Sequence, residues 1–231
     1  MSPVWGASRI GMLMLTESAG LNAFNALPTH AGDWDISPCA ETCSKVATHK
    51  DGSRIAIVAG RQIATAEGLE VLALGLTRSP ADGQNLGDTL KEIHAADALA
   101  VLPWGVGKWA GARGELIDRV ISENVNARDC FLSDSAVRPK AMPRPVRFTR
   151  AETLGWRVLA GTDPLPLPGE ATKPGRFGFL AKGPLDFDSP FYGLAGWLRQ
   201  VEHSPKIYGQ LETLPRFVVQ QLHMQFRKRF S

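Results

Sequence analysis

An α/β fold with a parallel sheet is what the sequence predicts, on three observations. Apolar clusters alternate between strand-like and helix-like periods along the chain. Residues 98–102 (ALAVL) form a continuous apolar run, the pattern of a strand buried on both faces. Glycine- and proline-rich loops follow the best strands, which is where ligands bind in parallel α/β folds. The 231 residues fit a single domain over 1–231, and an apolar content of 44% supplies a sizeable core.

Taken in order, residues 10–19 read as a helix closed by Gly20, and 22–27 as a short strand ending at Pro28. A short helix is expected over 41–49, followed by a turn at 50–53. The β-branched run 54–59 (RIAIVA) and the run 69–76 (LEVLALGL) are strands, close enough to pair as a hairpin. A helix over 86–96 places Leu86, Leu90 and Ile93 on one face. Beyond the 98–102 strand come a helix over 115–124, strands at 130–133 and 157–160, and a helical turn at 150–155. Helices over 191–201 and 215–229 close the chain, and 136–145 and 164–175 read as long loops.

A formal net charge of +3, with the 26 basic residues spread out, gives no reason to expect nucleic acid or a membrane as partner. The Arg227-Lys228-Arg229 run suits the negative end of a helix dipole, with an acidic docking partner as the lesser alternative. The apolar stretch 10–15 is too short for a signal peptide core. Three cysteines, Cys39, Cys43 and Cys130, are too few for a disulfide scaffold and point to the cytoplasm.

Two loops carry the chemistry. In 102–113 (LPWGVGKWAGAR), Gly105 and Gly107 allow close backbone approach, and Lys108 and Arg113 add positive charge near a helix start, which suits an anion. A structural turn lidded by Trp104 and Trp109 is the competing reading. In 161–168 (GTDPLPLP), Asp163 ends a strand, where a metal ligand or general base is common and an Asp-Pro turn is the plain alternative. After an earlier strand, His30, Asp33 and Asp35 could offer nitrogen and oxygen ligands. Asp134 and Arg138 either face a substrate or form a surface ion pair.

Three segments resemble the PHP family, the polymerase and histidinol phosphatase domains: AGLNAFNALPTHAG (19–32), RIAIVAGRQIATAEGLEVLALG (54–75) and VLAGTDPLPL (158–167). The resemblance implies a distorted (β/α)7 barrel, a TIM-like barrel that gathers divalent metal ions, Zn, Mn or Mg. His30 and Asp163 match ligand positions. Gln62 stands where the family carries glutamate, Leu102-Pro103-Trp104 replaces its His-Pro motif, and the late motif lacks its histidine. The family's opening His-x-His strand would fall at or before Met1, so the barrel is expected to be incomplete at its N-terminus.

The expectation is therefore a divergent PHP-like metal-dependent hydrolase, a phosphoesterase acting on a phosphorylated or otherwise anionic small substrate. His30, Asp163 and Asp33 would hold the metal, and His30, Asp163 and Asp134 would carry catalysis. Lys108, Arg113, Gly105, Gly107 and Arg138 would bind the anion. The alternative is a non-catalytic anion-binding module that has lost its metal ligands.

Overall fold

The computed structural model describes residues 11–78, 80–123 and 128–230. Ile10, Asn124 and the side chains of Arg227, Lys228 and Arg229 lie outside the described set. Strands come first: β1 (Gly11–Met14), β2 (His30–Ala31), β3 (Trp34–Pro38), β4 (Ser44–His49), β5 (Arg54–Val58), β6 (Gly60–Ala64) and β7 (Glu70–Leu74). An alternating stretch follows: α1 (Leu86–Ala95), β8 (Leu99–Pro103), α2 (Ala112–Glu123), β9 (Cys130–Ser135), α3 (Val146–Thr153) and β10 (Val158–Gly161). The remainder is β11 (Phe177–Leu180), α4 (Pro190–Gln200), β12 (Lys206–Gly209) and α5 (Leu214–Phe230).

These strands form three sheets, ordered β1-β5-β4-β3-β2, β10-β9-β8-β7-β6 and β11-β12. The (β/α)7 barrel implied by the PHP resemblance is overturned, and with it the TIM-like architecture. The second sheet is parallel only through β8, β9 and β10, is antiparallel through β6, β7 and β8, and stays open at both edges. A parallel barrel needs a crossover, usually a helix, between successive strands. Here no helix precedes α1 among the described residues, so the first seven strands join mainly by hairpins.

The helix–strand alternation does hold over 86–161. There β8-α2-β9-α3-β10 makes two parallel crossovers, and β8 is buried on both faces. Ala100 and Leu102 join Leu90, Ile93, Ile117, Ile121, Phe148 and Trp156 in a core beneath α1, α2 and α3. Leu99 and Val101 point the other way, into a second core with Phe131, Leu159, Phe191 and Leu198.

Upstream, the expected elements change. Residues 11–14 are a strand parallel to β5 rather than a helix, and 44–49 are a strand rather than a helix. The expected strand over 22–27 is instead a turn at 23–26, where the buried Glu17 carboxylate accepts from the backbone N–H groups of Ala23 and Phe24 at 2.8 and 2.7 Å. The partner of β7 is β6, not β5. Only Ala59 separates β5 from β6, and the chain bends there to enter the second sheet.

The candidate functional site

The carboxyl edge of the parallel trio β8-β9-β10 gathers the loops singled out in the sequence. Trp104 leaves β8 with its N–H donating to the Ser133 carbonyl at 2.9 Å, which ties the 104–111 loop to β9. Trp109 is buried edge-on against Phe148, with ring centroids 5.9 Å apart. Lys108 is not open to a ligand in the expected way: its Nζ lies 2.6 Å from Glu70 Oε2, across on β7. Arg113 donates to the Gly107 carbonyl at 3.1 Å and braces the turn that Gly105 and Gly107 make. Lys108 is thus paired with a carboxylate, while Arg113 makes one exposed hydrogen bond to a carbonyl.

Asp134 and Arg138 form a buried pair, not the surface pair that four-residue spacing after a strand suggests. Asp134 is 2% exposed and Arg138 8%. Arg138 Nε and Nη2 donate to the carboxylate at 2.9 and 2.7 Å, and Nη1 donates to the Met142 carbonyl at 2.8 Å. Asp134 also accepts from the Ser135 N–H at 3.0 Å. The guanidinium closes the loop after β9. Asp163 is exposed, holds a positive φ of 48°, and accepts from Ser135 Oγ at 3.0 Å.

The metal reading does not fit these positions. His30 sits on β2, at the far edge of the first sheet, where its Nδ1 pairs with Asp35 Oδ1 at 2.6 Å. Asp33, in the turn of that hairpin, lies 3.1 Å from Lys50 Nζ. Asp163 lies in the loop after β10, the edge strand of the second sheet. Among the described residues, no group of three or more His, Cys, Asp or Glu is arranged to hold a metal ion. Cys39, Cys43 and Cys130 are unpaired, and burial pushes the Cys43 and Cys130 thiols up to about 11 and about 12, away from the thiolate a metal needs.

A hollow of about 350 Å³ opens beside Trp104, between α2 and α3, lined also by Asp118, Pro145, Val146, Arg147 and Arg150. Arg147 grips Asp118 through both Nε and Nη2, each at 2.9 Å, and the bonds to that carboxylate hold its pKa above the usual arginine value. Gly114 permits this grip: a Cβ there would sit 2.5 Å from the Trp109 carbonyl oxygen and 2.7 Å from Arg147 Nη2. Arg150 is held more loosely, by one bond from Nη2 to Ser122 Oγ at 3.0 Å and a 3.9 Å approach to Asp118. Two guanidiniums thus share one carboxylate beside an indole. In the sequence these arginines are marked by the three-residue spacing of Arg144, Arg147 and Arg150, which suits one face of a helix.

No family model matches the chain, and no curated protein matches it. Among solved structures, PsfC from Pseudomonas syringae PB-5123 is similar over 89% of this chain and 75% of its own, at 19% identity and a TM-score of 0.45. No helix among the described residues is long and apolar enough to cross a membrane.

Proposed function

We propose that this chain binds a small anionic molecule, without a metal and without turning it over, in the hollow between α2 and α3. The observation that carries this reading is Arg150, more than half exposed beside Trp104 with most of its five donors uncommitted within the chain. Arg147 has already neutralised Asp118, so the second guanidinium supplies net positive charge to a ligand. Trp104, Pro145 and Val146 give an apolar wall for the rest of that molecule. The three unpaired cysteines support a reducing cytoplasm as its compartment.

The test is calorimetric titration with adenosine monophosphate, which offers a phosphate to Arg150 and a ring to Trp104, in the presence of EDTA. Binding should saturate, Arg150→Ala should weaken it about tenfold, and Lys108→Ala should change it by less than about twofold. If neither adenosine monophosphate nor inorganic pyrophosphate binds, or if Lys108→Ala is the damaging change and Arg150→Ala is silent, the reading fails.

A further inference from the structure

The hollow beside Trp104 does not end at Asp118. A second one, of about 460 Å³, adjoins it along α2, and the two share Asp118 and Arg150. Its remaining lining is Glu115, Arg119, Ser122 and Glu123. Spacings of three and four residues put these positions on one face of the helix, so Arg150 of α3 stands against a single row of α2 side chains. Ser122 fixes that arrangement: its Oγ donates to the Asp118 carbonyl at 2.7 Å and accepts from Arg150 Nη2 at 3.0 Å.

The two hollows differ in charge. In the first, Arg147 and Arg150 face one carboxylate, Asp118, which leaves one positive charge over. The charged residues that belong to the second alone are one guanidinium, Arg119, and two carboxylates, Glu115 and Glu123. Arg119 stands four residues from each glutamate, so it can pair with either along the helix but neutralises only one. All three are exposed, and among the described residues none of their side chains has a hydrogen bond or ion pair. One negative charge is therefore left over beside one positive charge. The two centres are close, since Glu115 and Glu123 lie three and five residues from Asp118, about 4.5 and 7.5 Å along the helix axis.

We infer that the ligand of this site is a zwitterion. Its anionic group lies at the centre on Arg150, an apolar or aromatic group at one end packs against Trp104, and an ammonium group at the other is held by Glu115 and Glu123. The inference rests on the anion-site reading and names the class of molecule that the site takes. A simple anion fills the first hollow and is repelled by the excess carboxylate of the second. An amine on a short tether turns that same carboxylate into an attraction.

Two esters of adenosine monophosphate, matched but for one group, test it by calorimetric titration in EDTA. The 2-aminoethyl phosphodiester carries an ammonium where the 2-hydroxyethyl phosphodiester carries a hydroxyl. The aminoethyl ester should bind about five times more tightly, on the scale of exposed charge pairs, and raised salt should shrink the difference. The double substitution Glu115→Gln with Glu123→Gln keeps the shape of two exposed side chains. It should leave the melting temperature unchanged and make the two esters bind alike. If adenosine monophosphate binds and the unaltered protein takes both esters equally well, the zwitterion inference is overturned and the anion site stands. A preference for the aminoethyl ester that survives the double substitution overturns it too, since the ammonium is then held elsewhere. If none of the three ligands binds, the two readings fall together.

Discussion

Asp134 and Arg138 show what a single pair costs and why. Both charges have left water, so each depends on the other and on the Met142 carbonyl and Ser135 N–H for compensation. Removing only the carboxylate strands a buried guanidinium, and Asp134→Ala should lose about 3 kcal/mol in urea denaturation. Replacing the pair together, Asp134→Leu with Arg138→Met, should lose less, because no unpaired charge is left inside. A loss below about 1 kcal/mol for Asp134→Ala would show that water reaches Arg138. The pairing was legible in the sequence, four residues apart after a strand; the burial was not. It arises because the chain folds back over the end of β9, with the Glu212 N–H donating to the Ala136 carbonyl at 2.9 Å. Nothing in residues 133–138 encodes that distant cover.

Elements differ in how openly they announce themselves. Strands β8, β9 and β10 are legible as ALAVL, CFLS and RVLA because both of their faces are buried, so nearly every position is apolar. In the first sheet, β3 and β4 mix Asp, Ser, Lys, Thr and His with apolar residues, and pairing partners rather than composition decide their form. The segment at α5 has a similar dependence on distant partners. Burial raises the pKa values of Glu170 and Glu212, but Lys173, 2.8 Å from each, outweighs it and holds both carboxyls below their ordinary 4.5. A carboxyl lowered on folding contributes stability above its unfolded pKa and loses it as pH falls through the folded value. The melting temperature should therefore hold from neutral pH down to roughly the unfolded carboxylate value and fall below it. Calorimetry on Glu170→Gln should show a lower plateau and a shallower acid limb. An acid limb as steep as that of the unaltered protein would place the titration elsewhere.

At the scale of the molecule, the two large sheets meet where residues 11–17 run along both β5 and β6. The Leu15 N–H donates to Val58 at 2.9 Å in the first sheet, and the Glu17 N–H donates to Gly60 at 3.1 Å in the second. Glu17 then locks the seam through its ion pair with the buried Arg61, 3.0 Å away. Gly60 lies where the bend leaves no room: a Cβ would fall 2.1 Å from the Leu15 carbonyl oxygen and 2.9 Å from that of Ala73. Both obstacles are backbone, one on each side, so neither can rotate away. Gly60→Ala should force β1 off the junction and cost at least about 3 kcal/mol, an effect on the scale of overpacking plus lost ladder bonds. Gly196→Ala is the matched control, since the same added methyl group in α4 meets nothing within 4 Å and should be neutral or stabilising. Thermal unfolding compares the two, and hydrogen exchange locates the damage: the Leu15 and Glu17 amides should exchange faster in Gly60→Ala while those of β8 stay protected. If Gly60→Ala melts with Gly196→Ala, or if its β8 amides open together with the seam, the two sheets are not joined at this glycine.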